Sequence, residues 1–420
     1  MEVAVENNVH KFVRAIEASF VSGIFAEELR SDALSKLESN RFPTTQDEYW
    51  KYTRVNRIST KQFKIQQGEI SNIDTFKIQG LNADVVVFVN GFFMPALSSI
   101  SDENAQYLSI VSVSGNKVSN IENGVHIFDQ INTAFATDGI ELIVPKNVVL
   151  SRSIEVIHIQ TGYELIANLH HQIRIERQAQ ANVVMSFHSR DAKHCFSNLR
   201  TCIQLEDGAH LNLTKIQTES NDNYHVATED VDQELNSNFT INTITLGGEL
   251  VRNNLNIRVN GQNCETNLYG AYILKDNQHV DNHTFIDHRV PNCLSNELYK
   301  GVVDDKATAV FNGKVFVRKN AQKINAYQSN GNVLLSDSAS VNSKPELEIY
   351  ADDVKCSHGS TIGQLDEKAV FYLRSRGLSD KQARELLVQA FVSDVLDKLS
   401  DEVRAFVDNI LVKRFGWNLI

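Results

Sequence analysis

The chain has few cysteines: five in 420 residues, at Cys195, Cys202, Cys264, Cys293 and Cys356. They are odd in number and widely scattered, which fits a reducing cytoplasm better than a disulfide framework. Positive charge is also short. Lys and Arg total 41 against 52 Asp and Glu, giving a net charge of -11. That argues against broad electrostatic binding to nucleic acid or an anionic membrane. No apolar run reaches membrane-spanning length, Val85 to Val89 being a short one. The start, MEVAVENN, is acidic where a secretory signal would be basic and then apolar. There is no G-x-x-x-x-G-K-[ST], C-x-x-C, H-E-x-x-H or G-x-S-x-G. Nucleotide hydrolysis on a phosphate loop is thereby excluded, and any energy input has to come from another subunit.

What is present divides into three stretches: 1–75, 76–363 and 364–420. In the first, Val9, Phe12, Val13, Ile16 and Phe20 follow the spacing of one helix face. A second helix is expected through Ala26 to Leu37, stopped by Pro43. The aromatic run Asp47-Glu48-Tyr49-Trp50-Lys51-Tyr52-Thr53 reads as local packing. From about residue 76, short β-branched runs alternate with Asn, Gly and Asp. Leu211 to Ile216, Phe239 to Ile244 and Leu255 to Val259 alternate cleanly. Asn260-Gly261, Asn312-Gly313 and Asn330-Gly331 are expected turns. A pair of β-sandwiches and a solenoid both fit. Small residues after polar ones (Gly208-Ala209, Lys306-Ala307, Asn320-Ala321, Ser338-Ala339) favour a mainly β fold, a parallel β-helix. Such a solenoid needs caps, and the helical regions at both ends are expected to supply them. In the third stretch, Asp366 to Arg376 is a short helix ended by Gly377. Ser379 with Gln382 is a capping box opening a longer one, and Ser400 to Val412 is a third. Ala383, Leu386, Leu387, Ala390, Phe391, Val395 and Leu399 mark an apolar stripe that serves a cap, a partner-docking surface, or both.

Three constellations carry possible chemistry. Cys356 and His358, two apart in YADDVKCSHGSTIG, point to one side if the segment is extended. They supply half of a metal or cluster-iron site, since two ligands do not complete a tetrahedral one. Continued alternation from Leu347 and Ile349 would face them outward, unless the Asp352-Asp353 turn resets the register. His279, Asp281, His283 and Asp287 would share one strand face, with His288 close by. A metal at His279 and His283 is weighed there against a hydrogen-bonded outer surface, and the latter is preferred. His170-His171 is a weaker pair. Asp352-Asp353 suggests a carbohydrate-active β-helix enzyme, but adjacent strand residues point opposite ways and make a poor acid/base couple.

The segments 287–315, 328–339 and 345–391, together with DEYWKYT, resemble the SufB/SufD family of iron–sulfur cluster assembly subunits, on its SufD branch. The resemblance is strongest in the C-terminal half. It implies a right-handed parallel β-helix between two helical regions, and a non-catalytic scaffold role. It implies partnership with a SufB-like paralogue and with a SufC-like ATPase. The ATPase is held by the C-terminal helices, for which Leu386, Leu387, Ala390, Phe391 and Val395 are the expected contacts. No cofactor is expected on the isolated chain. Iron or a nascent iron–sulfur cluster is expected at the paralogue interface, beside His358 first and Cys356 second. Homodimerisation of the isolated chain stays open.

Overall fold

The computed structural model describes residues 8–110 and 126–417. Most of the acidic start, residues 1–7, lies outside them. The centre of the chain is a parallel β-solenoid of about eight turns, with helices before and after it. Each turn contributes one strand to a ten-stranded sheet and one to a nine-stranded sheet. The ladders run in register from coil to coil. One inner row reads Leu211, Phe239, Thr266, Ser295, Ala326 and Cys356. Alternation forces this arrangement: every second side chain enters the space between the sheets, where Leu213, Ile241, Leu268, Ile257 and Ile286 form one core.

The corners explain the repeated small residues. Asn236, Asn263 and Asn292 each turn the chain at a left-handed φ of 57 to 62°, a conformation that asparagine tolerates. Each is followed by a small side chain directed inward: Ser237, Cys264 and Cys293. Ala209, Ala307, Ala321 and Ala339 are buried in the same core. Two expected turns are corrected. Asn312-Gly313 lies inside the strand Thr308–Val317, and Asn330-Gly331 inside Ile324–Leu334. Gly313 serves packing, whereas Gly331 has room for a Cβ at ordinary contact distance. A Cβ on Gly313 would stand 2.2 Å from Nε2 of Gln328 on the next coil, and one on Gly331 would meet the Phe391 ring at 3.4 Å.

The expectation of end caps is also corrected. The N-terminal helices Asn8–Glu17 and Glu27–Ser39, with Ile127–Phe135, cover the outer face of the nine-stranded sheet, packing on Ile166, Phe196, Val226 and Leu250. The C-terminal helices Asp380–Leu396 and Asp401–Phe415 lie along the outer face of the ten-stranded sheet. There Val388, Val392, Val395, Val403 and Val407 meet Val184, Ile216, Ile244, Ile273 and Val302. Each such buried side chain contributes roughly 1.5–3 kcal/mol. Ser379 accepts from the Gln382 N–H, and Gln382 Oε1 accepts in return from the Ser379 N–H at 2.9 Å, the capping box that the sequence encodes. Both helical regions therefore guard flanks. The last coil keeps its inner face open.

The open end of the solenoid

The final strand, Val354–Gln364, edges the ten-stranded sheet and, among the described residues, pairs only with Ile324–Leu334. Cys356 lies over Ala326 and His358 over Gln328. Both lower residues are buried in the interior. Cys356 and His358 thus belong to inward-facing rows, on the same side as Val354 and, across the coil, Leu347. The outward orientation that continued alternation predicts is wrong. The bend at Ala351 to Asp353 resets the register: the Lys323 N–H donates to the Asp353 carbonyl, and the Asp353 N–H donates to Gln322 Oε1 at 2.8 Å. With no coil above it, this inner row is a surface. His358 is exposed and Cys356 half-buried. Burial pushes the Cys356 thiol up from its ordinary value, so the thiol form is favoured until a cation approaches.

The two edge strands at this end differ. Ser340–Ile349, at the edge of the other sheet, carries Lys344, Pro345, Glu346 and Glu348. Charge and a missing N–H are the usual guards of an exposed edge. Val354–Gln364 carries Lys355 alone among charged residues, and its centre, Ser357 to Thr361, is small except for His358. A Cβ at Gly359 or Gly363 would meet nothing within 4 Å. This strand has an unguarded edge with room for another backbone.

Beneath His358 the interior is polar. Gln328 Nε2 donates to Glu297 Oε2 at 2.6 Å, and Thr284 Oγ1 donates to Glu297 Oε1 at 2.6 Å. Glu297 is fully enclosed, and burial pushes its carboxyl up to about 7 against the partial pull of these two donors. Sequence reading missed this group. Its signal was a glutamate at an inward position of the alternating run Leu294–Val303.

The second histidine cluster is tied into a hydrogen-bonded network. His279 and His283 lie on the outer face beneath the N-terminal region. His279 Nε2 sits 2.9 Å from Thr53 Oγ1, and His283 Nε2 sits 3.0 Å from Asp281 Oδ1. Asp281 also accepts from Thr53 and from the enclosed Arg252 guanidinium, which in turn stacks 4.1 Å from Trp50. Burial would raise the Asp281 carboxyl, but Arg252, His283 and Thr53 hold it well below the usual range. A metal at His279 and His283 would compete with Arg252 for that carboxylate. Among the described residues, no group of three His, Cys, Asp or Glu is placed to hold a metal. The aromatic run does not pack locally: Trp50 is buried against Arg252 and Phe128, far along the chain, while Tyr49 and Tyr52 are exposed. His288 is separate: it points inward, its Nε2 3.0 Å from Ser295 Oγ. His171 is likewise interior, in contact with His158 Nε2 at 3.1 Å. Asp352 and Asp353 are exposed in the bend before the final strand.

The C-terminal stripe is divided by burial. Val395 is 0% exposed against the solenoid, so it is withdrawn from any docking surface. Phe391 packs partly on the same cluster, with Lys300 Nζ 4.9 Å from its ring centre. Leu386 and Leu387 are half-buried and Ala390 is exposed. Phe371 and Tyr372, on the short helix Glu367–Ser375, are 72% and 56% exposed and were not singled out from sequence. Among the described residues no helix is long and apolar enough to cross a membrane.

Residues 158–391 match the family model described as SUF system FeS cluster assembly, SufBD core domain, and residues 14–156 match the SufBD protein N-terminal region. An iron–sulfur cluster assembly SufBD family protein of Synechocystis is 32% identical over 94% of this chain and 93% of its own length. The iron–sulfur cluster assembly protein SufD of Escherichia coli is 32% identical over 88% of each chain. A chloroplastic protein of Arabidopsis thaliana, ABCI7, is 28% identical over 94% of this chain and 88% of its own.

Proposed function

The chain belongs to the SufBD family of iron–sulfur cluster assembly proteins and is SufD-like, and from that premise we propose that it is a non-catalytic scaffold subunit whose open solenoid end is completed by a SufB-like paralogue. The observation that carries this is the pair of inward-facing residues His358, exposed, and Cys356, half-buried, on an unguarded edge strand. A second strand paired along Val354–Gln364 would satisfy its free backbone groups and close the core over these side chains. It would also bring the further ligands that two residues cannot supply. Iron, or the growing cluster, is cargo at that junction. An imidazole and a thiol suit it, and the neutral imidazole binds without first losing a proton.

A SufC-like ATPase is the proposed source of energy, docked on the helical pair Glu367–Ser375 and Asp380–Leu396. The exposed Phe371 and Tyr372, beside the half-buried Leu386 and Leu387, support that assignment. The cytoplasm is the proposed location.

The test is His358→Ala in the assembled complex. Cluster maturation in cells falls sharply while co-purification with the paralogue persists. Normal maturation in that variant overturns the site assignment and leaves an architectural role alone.

A further inference from the structure

We propose that Gln328 and Glu297 are positioning residues that fix which ring nitrogen of His358 faces the docked partner. The inference rests on the assignment of His358 above and extends it two coils inward. His358, Gln328 and Glu297 occupy one inner row on three successive coils. The row leans away from the open end: Glu297 Oε1 takes the Thr284 hydroxyl of the coil below, and Glu297 Oε2 takes the Gln328 amide N–H. Gly313, on the opposite sheet, makes the lean possible, because any side chain there would collide with Gln328 Nε2.

With Glu297 ionised, both carboxylate oxygens accept hydrogens, and Gln328 then presents Nε2 downward. Its other amide atom, Oε1, is left over. Gln328 is 3% exposed, and among the described residues Oε1 has no hydrogen-bond partner. A buried carbonyl oxygen without a donor is costly. The residue stacked directly above it is His358, and a neutral imidazole has one N–H to give. Once the end is closed over, donation of that N–H to Gln328 Oε1 satisfies the buried acceptor. It also turns the opposite, lone-pair nitrogen toward the incoming partner and its iron. A histidine that coordinates through one nitrogen is characteristically held through the other, and here the holder is a side-chain amide fixed by a buried carboxylate.

The experiment reads the tautomer of His358 by long-range proton–nitrogen correlation NMR on the full chain, labelled at histidine nitrogen, alone and bound to the paralogue. His358→Asn assigns the signal. In the bound wild type one tautomer dominates. Gln328→Leu, which removes the acceptor, shifts the tautomer ratio by about fivefold, the worth of one hydrogen bond. Glu297→Gln, which frees the amide to turn over, shifts it in the same direction. Circular dichroism confirms that each variant is folded. An unchanged ratio in both folded variants overturns the relay, whatever His358→Ala does to maturation. A shifted ratio together with normal maturation in His358→Ala keeps the relay and discards the site assignment.

Discussion

Replacing Glu297 by glutamine separates the cost of a buried charge from everything else at the open end. In the folded chain the carboxyl is pushed up from 4.5 to about 7 by burial. No cation faces it. On its own strand the next inward neighbour is Tyr299, and Gln328 and Thr284 approach from the adjacent coils. The enclosed Lys215 is already matched to Glu229 at 2.7 Å. An acid whose folded value is raised favours folding most when protonated. The contribution is complete below 4.5 and is lost as pH rises through about 7. At about 1.4 kcal/mol for each tenfold change in proton affinity, the full loss is about 3 kcal/mol. Between pH 5 and 8.5 most of it, about 2.5 kcal/mol, is spent. Glutamine cannot ionise, so Glu297→Gln is the more stable chain at pH 8.5 and nearly equal at pH 5. Urea unfolding followed by circular dichroism at both pH values measures the difference between the two pH dependences. A difference below about 1 kcal/mol would show that the carboxylate is solvated or paired, and the enclosed-charge argument would fall.

Asp281→Asn keeps the shape of the network under the N-terminal region but leaves the enclosed Arg252 guanidinium without its counter-charge; the expected loss is about 3–5 kcal/mol, seen as faster proteolysis around residues 40–60. A normal cleavage rate would refute a structural role for that network. Val395→Asp buries a carboxylate against Ile244 and Val302, and it lowers the unfolding midpoint and releases the C-terminal helices from the flank. Phe371→Ser with Tyr372→Ser, both on exposed positions, changes stability by no more than about 0.5 kcal/mol yet abolishes capture of the ATPase. Retained capture would move the docking surface elsewhere.

Much of the architecture was legible in the chain because it depends on local periods. Strict alternation in Phe239 to Ile244 encodes one inner and one outer face whatever lies opposite. Ser379 and Gln382 form their capping box within one helical turn. The pairing of Cys356 with His358 on one side of a strand follows from their spacing alone. The Asn-Gly pairs misled because a turn signal and a packing glycine look the same in one dimension. Gly313 leaves room for Gln328, fifteen positions later.

The sequence by itself determined a long β region with helical stretches before and after it and a cysteine–histidine pair at the handover, and it favoured a solenoid over a pair of sandwiches. The direction in which that pair points was decided only in three dimensions. A single bend at Ala351 to Asp353, held by Lys323 and Gln322 of the previous coil, sets the register of everything after it. Whether Val395 meets the solenoid or a partner was decided there too, by the ten-stranded sheet offering an apolar flank. With the helices laid on the flanks, no element among the described residues caps the last coil. His358 is therefore interior by register and exposed by position.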